Sequence, residues 1–146
     1  MREHKYRGKR LDNGEWIYGD LLQLGGNRRT FIFTDDDNIS QFAEKAYRLQ
    51  REVDPATVGE YWRTVNGKVL FDGDIFRIKI GNEYIIRFVS YNEEKAAFCI
   101  INPLQLKYKK LWDIEQIPRP DWWNEFAKNI EVIGNIHDNP ELLKTE

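Results

Sequence analysis

The stretch NGKVLFDGDIFRIKIGNEYIIRFVSYNEEKAAFCII, residues 66–101, decides the fold class. Its turn signals are Asn66-Gly67, Asp72-Gly73, Gly81-Asn82 and Asn92-Glu93. Between them lie the runs Val69–Phe71, Ile75–Ile80, Tyr84–Tyr91 and Ala96–Ile101. Gly, Asn and Asp tolerate the backbone angles of tight turns, and β-branched and aromatic residues fit a pleated, half-buried surface. Turns recurring about every ten residues predict a meander of the kind that builds a small barrel or sandwich.

Upstream, residues 2–24 read as a β-hairpin turning at Asn13-Gly14, with Gly19-Asp20 interrupting its second arm. Gly25-Gly26-Asn27 is a further turn, and Phe31-Ile32-Phe33 a short strand. Asn38 to Ala46 reads as a brief helix with Phe42 and Ala46 on one face, whereas Tyr47, Leu49, Arg51 and Val53 alternate as a strand would. Asp54-Pro55 supplies an N-cap and a first helical position, and Val58-Gly59 ends that turn at once.

Downstream, residues 102–129 differ in character. Lysines cluster, Pro118-Arg119-Pro120 breaks the chain, and Asp121 can cap a helix over Trp122–Lys128. Ile130, Val132, Gly134 and Ile136 then alternate as a late strand, with Gly134 allowing a bend or a close backbone approach. Asn139 or Asp138 is expected to cap a terminal turn begun by Pro140, with Leu142 and Leu143 pinning it to the body. The expectation is one unit over residues 1–146, mainly β with short helices. It has an N-terminal β-rich part (1–62) and a barrel-like part (63–146) that carries a Trp-rich insertion at about 104–129.

The bulk numbers narrow the function classes. The chain has 146 residues, 41% hydrophobic and 14% aromatic, enough for a sizeable core. Its charge is nearly balanced, with 22 Lys and Arg against 24 Asp and Glu and a net charge of −2. Backbone-driven nucleic-acid binders show a basic excess or stripe, so that class is disfavoured. Cys99 is the single cysteine, so no internal disulfide can form. No apolar run approaches membrane-spanning length, and a reducing cytoplasmic setting is the simplest expectation.

No constellation of reactive residues stands out. Asp35-Asp36-Asp37-Asn38 fails the EF-hand template, because Ile39 and Ser40 stand where an oxygen ligand and Gly are needed. His4, Cys99 and His137 are too widely spaced for a zinc signature. Ser40 and Ser90 lack a nucleophile elbow, and Gly25-Gly26 lacks Walker spacing. Asp72 and Asp74 bracket Gly73 as turn-forming residues rather than an acid/base pair. No catalytic residue, cofactor or metal site is therefore assigned.

Three blocks in order, EVDPATVGEYW (52–62), NGKVLFDGDIFRI (66–78) and IEVIGNIHDNPELL (130–143), resemble the signature blocks of YopX-type proteins. The opening REHKYRGKRLDNGEWIYGDLL is similar to their usual amino terminus. The likeness spans nearly the whole chain. It departs at Glu60-Tyr61-Trp62-Arg63-Thr64, where the family commonly reads Gln-Tyr-Thr-Gly-Leu, and in the long Trp-rich stretch 112–126. The resemblance implies a phage, prophage or mobile-element protein of bacteria, a β-rich fold containing an SH3-like barrel, and a tendency to oligomerise. It implies no catalytic residues and no ligand.

Two binding surfaces follow from the residues. Adjacent Trp122 and Trp123 diverge by about 100° on a helix, so one can cover the body while the other, beside Arg119, meets a partner. The alternative joins Arg28, Arg29, Lys107, Lys109 and Lys110 with Trp112 as a nucleic-acid face of SH3-like or OB-like type. The favoured expectation is a non-enzymatic protein that forms a homo-oligomer and contacts a phage or host protein. Nucleic acid is the alternative, and no membrane is involved.

Overall fold

Two antiparallel sheets carry the strands of this chain. The computed structural model describes residues 5–26, 29–34, 44–94, 96–104, 115–116 and 129–144. By internal contacts the chain divides into two units, Met1–Tyr61 and Trp62–Glu146.

In the first unit, β1 (Tyr6–Lys9), β2 (Trp16–Leu24), β3 (Arg29–Phe33) and β4 (Glu52–Val53) lie in the order β4-β3-β2-β1, followed by the start of β5 (Gly59–Val65). The loop between β1 and β2 is wider than a two-residue turn. Arg10 N–H donates to the Glu15 carbonyl at 2.9 Å, and the Asn13 side chain accepts from Glu15 N–H at 2.9 Å. Gly19-Asp20, read as an interruption, instead marks a change of partner within an unbroken strand. Trp16–Gly19 pairs with β1 and Asp20–Leu24 with β3. Glycine is required there because a Cβ on Gly19 would overlap the Phe33 carbonyl oxygen.

The helix α1 (Lys45–Leu49) overturns the strand-like alternation of Tyr47 and Leu49. Tyr47 stacks on Phe33 with ring centroids 6.5 Å apart, a contact that a local alternation rule cannot anticipate. Extended structure resumes only at β4. Of the helix expected over Asn38–Ala46, residues 38–43 lie outside the described residues, and Lys45 and Ala46 begin α1. Asp54 caps the turn Pro55–Thr57 as expected, its Oδ1 accepting from Ala56 N–H at 3.0 Å. Thr57 Oγ1 then accepts from Lys9 N–H at 2.8 Å and ties that turn to β1. Ile17, Ile32 and Val53 form the unit's core, with Tyr6, Leu21 and Val58 packed against them.

In the second unit, β5 continues beside β6 (Lys68–Phe71), joined by Asn66 (φ 49°) and Gly67 (φ 76°). β7 (Asp74–Ile80), β8 (Glu83–Asn92) and β9 (Ala97–Ile101) complete the meander read from residues 66–101. The short β10 (Glu115–Gln116) and the late β11 (Glu131–Asn135) flank it, giving the order β10-β9-β8-β7-β11. This sheet is apolar on both faces, which accounts for near-continuous apolar runs such as AFCII. One face carries Phe76, Ile78, Val89 and Ile100, packed with Val65, Leu70 and Ile130. The other carries Ile75, Phe88 and Ile101 under Ile133, Ile136, Leu142 and Leu143. Full burial of each such side chain contributes about 1.5–3 kcal/mol.

The mainly β expectation therefore holds, but the described strands form two antiparallel sheets rather than a closed barrel. Closure requires a continuous stagger of every ladder around the ring. Here β11 shifts register between Val132 and Gly134, and the chain beyond it crosses over a sheet face. That terminal segment covers apolar surface.

Candidate functional site

The carboxylates and the thiol singled out in the sequence have local structural partners. Asp74, 3% exposed, accepts from Phe71 N–H at 2.8 Å, and Asp72 accepts from Tyr91 N–H at 3.2 Å. Gly73 between them donates to the Val89 carbonyl at 2.8 Å and accepts from Ile136 N–H at 2.9 Å, so the turn joins three parts of the chain. Cys99 is buried, with Sγ 3.8 Å from the Ala97 carbonyl oxygen. His137 lies in the terminal turn, its backbone N–H donating to Asn135 Oδ1 at 3.0 Å. Among the described residues no three or more His, Cys, Asp or Glu side chains gather as a metal site would require. His4, Ser40 and Asp35–Asn38 lie outside them.

Arg29 is the one member of the expected basic face that is described. Its Nη2 and Nε donate to Glu52 at 2.8 and 3.1 Å, and its guanidinium lies 5.2 Å from the Phe31 ring. The hydrogen bond to Glu52, reinforced by the carboxylate's charge, raises the Arg29 pKa above its ordinary value. The same bond holds Glu52 below the usual carboxylate range, against the opposing effect of burial. A guanidinium gripped at two points by a neighbouring strand is spent on holding β3 to β4. Arg28, Lys107, Lys109, Lys110, Trp112, Arg119, Trp122 and Trp123 lie outside the described residues, so neither expected surface is assembled among them.

A different arginine stands out. Arg87 lies on β8 between Ile85 and Val89, on the sheet face that carries the core, and pairs in register with the fully buried Phe76. It is half-buried, and its hydrogen bond among the described residues runs from Nη1 to the Ile86 carbonyl at 2.8 Å. Burial lowers its pKa, with no carboxylate among the described residues acting in the other direction. Sequence reasoning passed over this residue, although a charged side chain inside the apolar run YIIRFV was a visible signal.

Other surface features are less pointed. A cleft of about 570 Å³ is lined, among the described residues, by Gln23, Leu24, Gly25, Thr30 and Pro55, whose polar side-chain groups are an amide and a hydroxyl. Two edge strands of the second unit carry an exposed valine, Val69 on β6 (45%) and Val132 on β11 (37%). Trp62, where the chain departs from the common YopX pattern, stacks on Phe98 at 5.5 Å. No helix among the described residues is long and apolar enough to cross a membrane.

The fold and the sequence both have known counterparts. The crystal structure of protein yopX from Bacillus subtilis is similar over 99% of each chain, with a TM-score of 0.53 and 19% identity. That likeness concerns the fold. No curated protein matches the chain. The family model described as YopX protein matches residues 5–144, and the chain belongs to the YopX family.

Proposed function

We propose that this chain is a non-enzymatic accessory protein of a bacterial phage or mobile element, working in the cytoplasm through self-association and contact with a phage or host protein. The observation that supports this reading is the exposed apolar character of two sheet edges in the second unit, β6 and β11. β6 ends one sheet and β11 the other, and each presents an exposed valine. Unpaired strand edges invite pairing with another chain, and apolar side chains on them add contact area. The engagement of Asp72, Asp74 and Arg29 in turns and strand ties weighs on the same side, because it leaves those groups a structural task.

Light scattering coupled to size exclusion tests the reading on the full chain at micromolar concentration. The expected mass is a multiple of 17.4 kDa. The double variant Val69→Lys, Val132→Lys places charge on both edges and is expected to shift the protein toward monomer. A strict monomer for the unaltered protein, or an unchanged oligomer for the variant, refutes edge-driven association.

A further inference from the structure

We propose that Arg87 anchors an oxyanion-binding position on the five-stranded sheet, where its guanidinium takes a carboxylate or phosphate group of a ligand through a two-point bond. The first argument is placement. Arg87 occupies the core-bearing face between Ile85 and Val89, opposite Phe76, where strand alternation calls for an apolar residue. Its retention there carries an electrostatic cost, since a partly desolvated cation with no carboxylate bonded to it among the described residues is unfavourable.

The second argument is contrast within the same protein. Arg10 is bonded to Asp12, Arg29 to Glu52 at 2.8 Å and Arg77 to Glu131 at 2.8 Å. Arg87 instead has the Ile86 carbonyl, which engages one N–H of a group that carries five donors. A planar guanidinium in a partly dry setting matches an oxyanion's two oxygens, and it does so better than an ammonium would. Breaches of a local sequence rule concentrate at functional positions, and among the described residues nothing compensates this one. The shared chemistry of a carboxylate and a phosphate therefore defines the ligand class.

The test uses the full-length chain, labelled with nitrogen-15, at constant ionic strength. Acetate and inorganic phosphate are titrated separately while the arginine Nε–H resonances are followed. The expected result is a saturable shift at Arg87, with Arg29 and Arg77 unmoved because carboxylates already hold them. Tighter saturation by acetate identifies a carboxylate-bearing ligand, and tighter saturation by phosphate a phosphoryl one. Either result supports the proposal. Arg87→Lys, which keeps the charge but loses the fork, is expected to weaken binding by about tenfold or more. Arg87→Met is expected to abolish it while leaving Tm unchanged or raised. A linear, unsaturated shift common to all three arginines overturns the proposal. So does a lowered Tm for Arg87→Met together with no saturable response at Arg87, which would assign the side chain to packing.

Discussion

Replacing Asn135 by alanine should loosen the whole terminal segment, and its cost follows from the contacts of one side chain. Asn135 is 9% exposed at the end of β11. Its Oδ1 accepts from His137 N–H at 3.0 Å and from Asp138 N–H at 2.9 Å, and its Nδ2 donates to Asp138 Oδ2 at 3.2 Å. Each lost bond costs about 1 kcal/mol net, so the side chain accounts for about 2–3 kcal/mol. The turn it organises also carries Leu142 and Leu143 onto Ile75, Phe88 and Ile101. Partial loss of that packing brings the expected total to about 2–4 kcal/mol. For a chain of this size, at about 3 °C per kcal/mol, Tm should fall by about 6–12 °C. Thermal unfolding measures the total, and amide exchange at Ile136, bonded to the Gly73 carbonyl at 2.9 Å, reports on the strap itself. Asn135→Asp keeps the acceptor but faces the Asp138 carboxylate, so it should fall between alanine and the unaltered protein. A loss below about 1 kcal/mol with Ile136 still protected would refute the account of Asn135 as the organiser of this turn.

Two further outcomes follow from the first unit. Gly19→Ala would force a methyl group into the Phe33 carbonyl at a backbone φ of 157°, and should destabilise the fold by about 3 kcal/mol or more. A midpoint in urea within error of the unaltered protein would show that the β2 partner change tolerates a side chain. The Arg29–Glu52 tie should give stability a pH dependence. Glu52 is held below its ordinary value of 4.5, first by the hydrogen bond from Arg29 and then by its charge, while burial opposes both. Because the folded value is the lower one, the contribution is fully present above about 4.5 and is lost as the pH falls through the folded value. Urea unfolding of the protein and of Glu52→Gln should therefore differ at pH 7 and converge toward pH 3. A difference that stays constant or widens on acidification contradicts the pairing.

Much of the architecture was legible because its signals are local. Asn66-Gly67 makes its turn with both residues at positive φ, and Asp54 caps Pro55–Thr57 through its own side chain. Gly134 allows the close approach expected of it, with the Asn139 side chain packed where a Cβ would sit. Leu142 and Leu143 do pin the terminal turn to the body. The capping expectation at that turn failed in an instructive way. Asn139 makes no side-chain cap; its Oδ1 accepts from Asn135 N–H at 3.3 Å, because the bulged end of β11 brings that donor within reach.

The sequence by itself thus determined the meander, the turns, the family and the apolar clasp at the end of the chain. Each of these rests on turn chemistry, periodicity or motif order within a few residues. Tertiary structure alone decided where β2 changes partner, why Tyr47 is helical, which carboxylate answers Arg29, and that the described strands form two sheets rather than a closed barrel. It also decided that Arg87 lies on the core-bearing face with no carboxylate bonded to it among the described residues. All of these depend on which distant strand arrives beside a residue. Pairs such as Gly19 with Phe33, Arg29 with Glu52 and Ile136 with Gly73 meet only once the sheets have formed, so no local pattern could encode them.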